Sequence, residues 1–158
     1  MSDSQISPVG EPAGLANQVA LPTRRRILVV DDDVSTRRLE TVVLIQSGYQ
    51  VDVAEDGAAA WEALNTDRYD LLITDHNMPK VTGVELLQKL HGAHITVPVI
   101  MATGSFPHDE FAESPWLQPA TTLLKPYSVE KLLGAVKAIL HGRGDTTEGS
   151  QNQSPCAQ

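Results

Sequence analysis

With 158 residues, of which 41% are hydrophobic and only 4% aromatic, the chain is long enough for one domain with an aliphatic core. Twenty acidic residues against twelve basic ones give a formal charge of −8, which argues against nucleic acid as the main partner because phosphate contacts need a positive surface. No apolar run reaches the roughly 20 residues of a membrane span, the N-terminus lacks a secretory pattern, and the single cysteine, Cys156, has no internal partner, so a cytoplasmic protein without membrane association is expected.

Residues 1–23 carry three prolines, two glycines and no apolar periodicity, and are expected to be a disordered arm. Residues 143–158 are expected to be a disordered tail of the same kind, leaving one domain over residues 24–142. Arg24, Arg25 and Arg26 form a short basic run, expected to be a solvated lead-in to the first strand.

Ile27–Val30 is a continuous apolar run, the mark of a strand buried on both faces. A helix follows from Ser35 to Ser47, with Leu39, Val42, Val43 and Gln46 at helical spacing and Gly48 as its C-cap. Tyr49–Ala54 is expected to be a second strand and Asp56–Thr66 a second helix. The third strand runs from Asp70 to Asp75, followed by a loop with Pro79 and Gly83 and a helix from Val84 to about His91. Val97–Thr103 makes a fourth strand, with Pro98 near its start, where a missing donor is tolerated. Pro107, Pro115 and Pro119 leave room only for a short helix near His108–Ser114. Thr121–Leu124 is the fifth strand, and Ser128 caps a last helix to about Leu140. Strand–helix alternation, five times over, predicts an α/β fold with a parallel sheet covered on both faces. An open doubly wound sheet fits better than a barrel, which needs about eight such units.

In an open sheet of this kind the ligand crevice lies beyond the carboxyl ends of the strands, where strand order reverses. Strand 1 ends in Asp31-Asp32-Asp33, strand 3 in Asp75-His76-Asn77, strand 4 in Thr103-Gly104, and strand 5 in Lys125-Pro126. Carboxylates gathered in one place repel one another unless a cation is present. A hard divalent ion such as Mg²⁺ takes one or two carboxylates and a phosphate oxygen, while a lysine and a threonine hydroxyl suit an anion. The set predicts a site where a phosphoryl group sits on or beside a carboxylate.

The segments ILVVDDD, LLITDHNMP, MATG and LLKPY, in this order and spacing, resemble the receiver domain of two-component response regulators over roughly residues 26–141. The resemblance implies a flavodoxin-like sheet of order 2-1-3-4-5 with a shortened fourth helix. It implies that Asp75 is the phosphoacceptor and that Asp31, Asp32, Asp75 and the Asn77 backbone carbonyl hold Mg²⁺. It implies that Lys125 contacts the phosphoryl oxygens, that Thr103 is the switch residue, and that the Lys125–Pro126 bond is cis. The implied partners are a sensor histidine kinase or histidine phosphotransfer protein and an unknown downstream protein. No output domain follows Leu140, so a stand-alone regulator acting through protein contacts is expected, and not a turnover enzyme. Aspartyl phosphatases usually carry an acid two residues after their nucleophile, where this chain has Asn77; a degenerate receiver, a pure binding module, would lack part of the set.

Asp33 is expected to cap or charge the first helical turn rather than bind metal. Asp56 and Asp70 are expected at element boundaries, and His76 as a partly exposed loop histidine outside the chemistry. His91, His94, His108 and His141 show no zinc spacing. Two departures from the family pattern stand out. Thr122 occupies the position, three before Lys125, where many receivers carry an aromatic switch residue. The proline-broken segment 105–120, where partners of similar domains dock, holds Phe106, Phe111 and Trp116, which are expected to be local core.

Overall fold

The computed structural model describes residues 24–141, so the expected arm and tail lie outside the described residues. Ten elements alternate: β1 (Arg26–Val30), α1 (Val34–Gln46), β2 (Gln50–Ala54), α2 (Gly57–Thr66), β3 (Leu71–Thr74), α3 (Gly83–Gly92), β4 (Val99–Thr103), α4 (His108–Glu113), β5 (Thr121–Leu124) and α5 (Val129–Leu140). The five strands form one parallel sheet in the order β2-β1-β3-β4-β5. Sequence and structure agree on every element, to within a residue or two at the ends.

Alternation along the central strands divides the core between two faces. Leu28, Val30, Leu72, Val99 and Met101 pack with residues of α2, α3 and the segment around α4. Ile27, Val29, Leu71, Ile73, Ile100 and Ala102 pack with residues of α1 and α5. The apolar runs of β1, β3 and β4 are therefore buried on both sides, as continuous apolarity demands.

Local chemistry sets the element ends. The Asp33 side chain accepts from the Thr36 N–H and caps α1, and Asp56 caps α2 in the same way through Ala59. Thr82 and Glu85 form a reciprocal capping box on α3. At the end of α1, Gly48 takes φ +98° while its N–H bonds the Ile45 carbonyl and the Tyr49 N–H bonds Leu44, a Schellman closure that favours glycine.

Three expectations need correction. The apolar spacing on α1 does not mark its buried face: Leu39 and Val42 are exposed, and Glu40 and Leu44 point inward. Arg26 is no solvated lead-in, since its guanidinium bonds Asp52 at 2.6 Å and lies over the Tyr69 ring at 4.8 Å; only Arg24 and Arg25 are exposed. Trp116 is not core, being 60% exposed with its ring against His91, whereas Phe111 is buried and Phe106 packs beside it.

Candidate functional site

Strand order reverses between β1 and β3, and the register there aligns Val30 with Thr74. The next residues are Asp31 and Asp75, so the two carboxylates emerge side by side. The Asp75 N–H bonds the Val30 carbonyl at 3.1 Å, which extends the ladder to the edge of the crevice. On the far side β4 ends in Thr103, whose carbonyl accepts from the Lys125 N–H at 2.9 Å. The sheet thus delivers one functional group at the end of each of four adjacent strands.

Lys125 reaches back across the crevice. Its Nζ donates to Asp31 Oδ2 at 2.9 Å and to Asp75 Oδ2 at 3.1 Å, and both carboxylates are almost fully buried. Burial pulls the Lys125 ammonium down, but its bonds and proximity to Asp31 and Asp75 overcome this and leave it raised. The second oxygen of each carboxylate is held by backbone: Asp31 Oδ1 accepts from Asp33 N–H at 2.9 Å, and Asp75 Oδ1 from His76 N–H at 2.6 Å and Asn77 N–H at 3.4 Å. Asp32 is exposed at the rim, and carboxylate oxygens of Asp31, Asp32 and Asp75 lie within 4.8 Å of one another. Two buried anions share one cation, and a third carboxylate stands beside them.

Thr103 is fully buried, and its hydroxyl donates to the Ser105 carbonyl at 3.2 Å, so in this state it serves the β4–α4 loop. Thr122 is half-buried on β5, and the Lys125–Pro126 bond is cis. Asp33 is occupied as the α1 cap, with Thr36 holding its carboxyl below the usual range.

The sequence profile of the response regulator receiver domain matches residues 27–137. The chain belongs to the receiver domain family. Among curated relatives, the response regulator MprA of Mycobacterium tuberculosis is 34% identical over 115 residues, covering 73% of this chain and 50% of MprA. The 3',5'-cyclic-nucleotide phosphodiesterase regA of Dictyostelium discoideum is 31% identical over 142 residues, covering 87% of this chain and 18% of that protein. The chain therefore spans half or less of the length of these relatives. Among solved structures, the Vibrio cholerae chemotaxis protein CheY4 superposes with a TM-score of 0.68 at 29% identity, over 75% of this chain and all of that one. A CheY-like receiver from Methanospirillum hungatei gives 0.72 at 26%, over 78% and 99%. The expected flavodoxin-like sheet is thus the fold of this receiver, and two-component phosphorelay signalling is its setting.

Three residues around the site went unremarked in the sequence or were misjudged. His76 is buried, not partly exposed: its Nδ1 accepts from Val84 N–H at 3.4 Å and its Nε2 lies 3.2 Å from Glu110 of α4. Gly83 begins α3 directly against the acidic loop; a Cβ there would lie 2.6 Å from the Asp75 carbonyl oxygen and 2.9 Å from His76 Cα. Glu40, on the buried face of α1, accepts a hydrogen bond from Tyr127, two residues beyond Lys125. A lone glycine in a loop and a glutamate in a helix carry no local sign of such partners. Among the described residues, no helix is long and apolar enough to cross a membrane.

Proposed function

We propose that this receiver accepts a phosphoryl group on Asp75, from a sensor histidine kinase or a histidine phosphotransfer protein, and that the modification switches its contacts with a downstream protein. The observation that carries the reading is the Lys125 ammonium shared between Asp31 and Asp75 at the point of strand reversal. Asp75 offers a carboxylate nucleophile, its geometry held by two backbone N–H groups. Three carboxylates within 4.8 Å are hard oxygen donors of the kind Mg²⁺ takes, so the residues fit that ion. Asp31, Asp32, Asp75 and the Asn77 carbonyl would hold Mg²⁺, which when bound supplies neutralisation of the phosphoryl oxygens.

In the transfer, an Asp75 carboxylate oxygen bonds to phosphorus as the donor's phosphorus–nitrogen bond breaks, the electron pair leaving with the donor imidazole. Lys125 then exchanges a carboxylate partner for a phosphoryl oxygen, a point charge already in position. Thr103 turns its hydroxyl from Ser105 toward the new group, and the β4–α4 loop follows. With Thr122 in place of an aromatic switch residue, this backbone movement is the route by which the signal leaves the site.

Incubation with Mg²⁺ and acetyl phosphate should add one phosphoryl mass, lost in Asp75→Ala. Labelling that persists in Asp75→Ala, or none in the native protein, refutes the assignment.

A further inference from the structure

Glu40 is 3% exposed, and among the described residues it is the one charged side chain buried within a helix. It lies in the seam between α1 and the β5–α5 loop, a gap also lined by Thr36, Leu39, Val43, Pro126 and Val129. Its carboxylate accepts from the Tyr127 hydroxyl, so α1 is bonded to the loop that begins at Lys125. A buried carboxylate carries a desolvation cost that an apolar side chain of similar size would avoid. The phosphoryl chemistry proposed above uses neither partner.

We propose that Glu40 is a positioning residue for Lys125: through Tyr127 it anchors the β5–α5 loop to α1, and the loss or gain of its proton tightens or slackens phosphoryl acceptance at Asp75. This inference rests on Asp75 as the acceptor. Ionised, Glu40 receives a charge-assisted hydrogen bond from Tyr127, roughly twice as strong as a neutral one. Neutral, it holds the loop less firmly and adds no negative charge to the crevice.

The groups around Glu40 place its titration where it matters. Burial pushes its carboxyl up to about 7, the Tyr127 bond opposes this, the charges of Asp31 and Asp75 add to the rise, and Lys125 counters them. The α5 residues lining the gap, Val129 and Leu132, are uncharged. With the seam closed, the hydrogen bond from Tyr127 is therefore charge-assisted above neutrality and a neutral one below it.

The test uses the full chain and two readouts. In a ¹³C-labelled sample without Mg²⁺, the Glu40 carboxyl resonance should titrate near neutrality, and Tyr127→Phe should move its midpoint upward. With Mg²⁺ and acetyl phosphate, native labelling should rise about three- to tenfold between pH 6 and pH 8, beyond any donor effect, as one group passes from mostly protonated to mostly ionised. Glu40→Gln, close in shape and permanently neutral, should still be labelled but should lack that rise. The same pH profile in Glu40→Gln, or a Glu40 resonance titrating with ordinary surface carboxylates, overturns the inference while leaving the acceptor assignment intact. Absence of native labelling at every pH overturns the acceptor assignment, and this inference with it.

Discussion

The two acidic side chains of α1 and its cap show how position decides the role of a carboxylate. Asp33 and Glu40 are seven residues apart, yet one is solvated at a helix cap and the other buried beneath the helix. For Glu40 the folded state raises the carboxyl from 4.5 to about 7, so its ionisation opposes folding. That opposition is absent below about pH 4.5, grows as pH rises toward 7, and is complete above it, at an order of magnitude of about 3 kcal/mol. Glu40→Leu should therefore raise stability more at pH 8 than at pH 5, as urea denaturation at the two pH values would show. Asp33 makes the opposite case. Asp33→Ala should cost about 1 kcal/mol through loss of the α1 cap. It should leave phosphoryl labelling unchanged; a marked loss of labelling would move Asp33 into the metal site.

At the scale of elements, the acidic loop after β3 is held by the start of α3. The Gly83 N–H donates to the His76 carbonyl at 2.9 Å, and the capping box of Thr82 and Glu85 fixes the direction in which α3 departs. Gly83→Ala forces a Cβ against the Asp75 carbonyl oxygen, where backbone and not a flexible side-chain end must yield. The expected cost is about 1–3 kcal/mol, as for overpacking elsewhere. Labelling at Asp75 should slow at the same time, and a variant as stable and as readily labelled as the native protein would show that the loop relaxes freely. α4 is only six residues long, has no side-chain cap bond, and follows Pro107. It is fastened mainly by Phe111 below and by the His76–Glu110 contact above.

Across the whole molecule, the sheet separates two cores while its carboxyl edge gathers charge. Among the described residues, Lys125 is the one side chain that pairs with the carboxylates of Asp31 and Asp75, and Asp32 stands beside them, so a bound divalent cation should stabilise the fold. By mass action, Mg²⁺ at about a hundred times its dissociation constant should add roughly 2.7 kcal/mol. Thermal unfolding with and without Mg²⁺ checks this, and Asp32→Asn should diminish the shift. An unchanged melting temperature at saturating Mg²⁺ would count against the proposed metal role.

By itself, the sequence determined the strand–helix order, the burial of β1, β3 and β4, and the gathering of Asp31, Asp75, Thr103 and Lys125 at one edge. These follow from local rules: continuous apolar runs make two-faced strands, and a polar residue ending each run must emerge at the carboxyl side. The tertiary structure alone decided which way α1 is turned. Leu39, Val42, Val43 and Gln46 have the spacing of a buried stripe, yet Leu44 packs into the core and Glu40 is buried beside the β5–α5 loop, where Tyr127 gives the carboxylate a partner 87 residues away. His76, Gly83 and Arg26 were illegible for the same reason. Each is defined by a partner on another element, and a periodic pattern reports the element a residue belongs to, not what the neighbouring element brings against it.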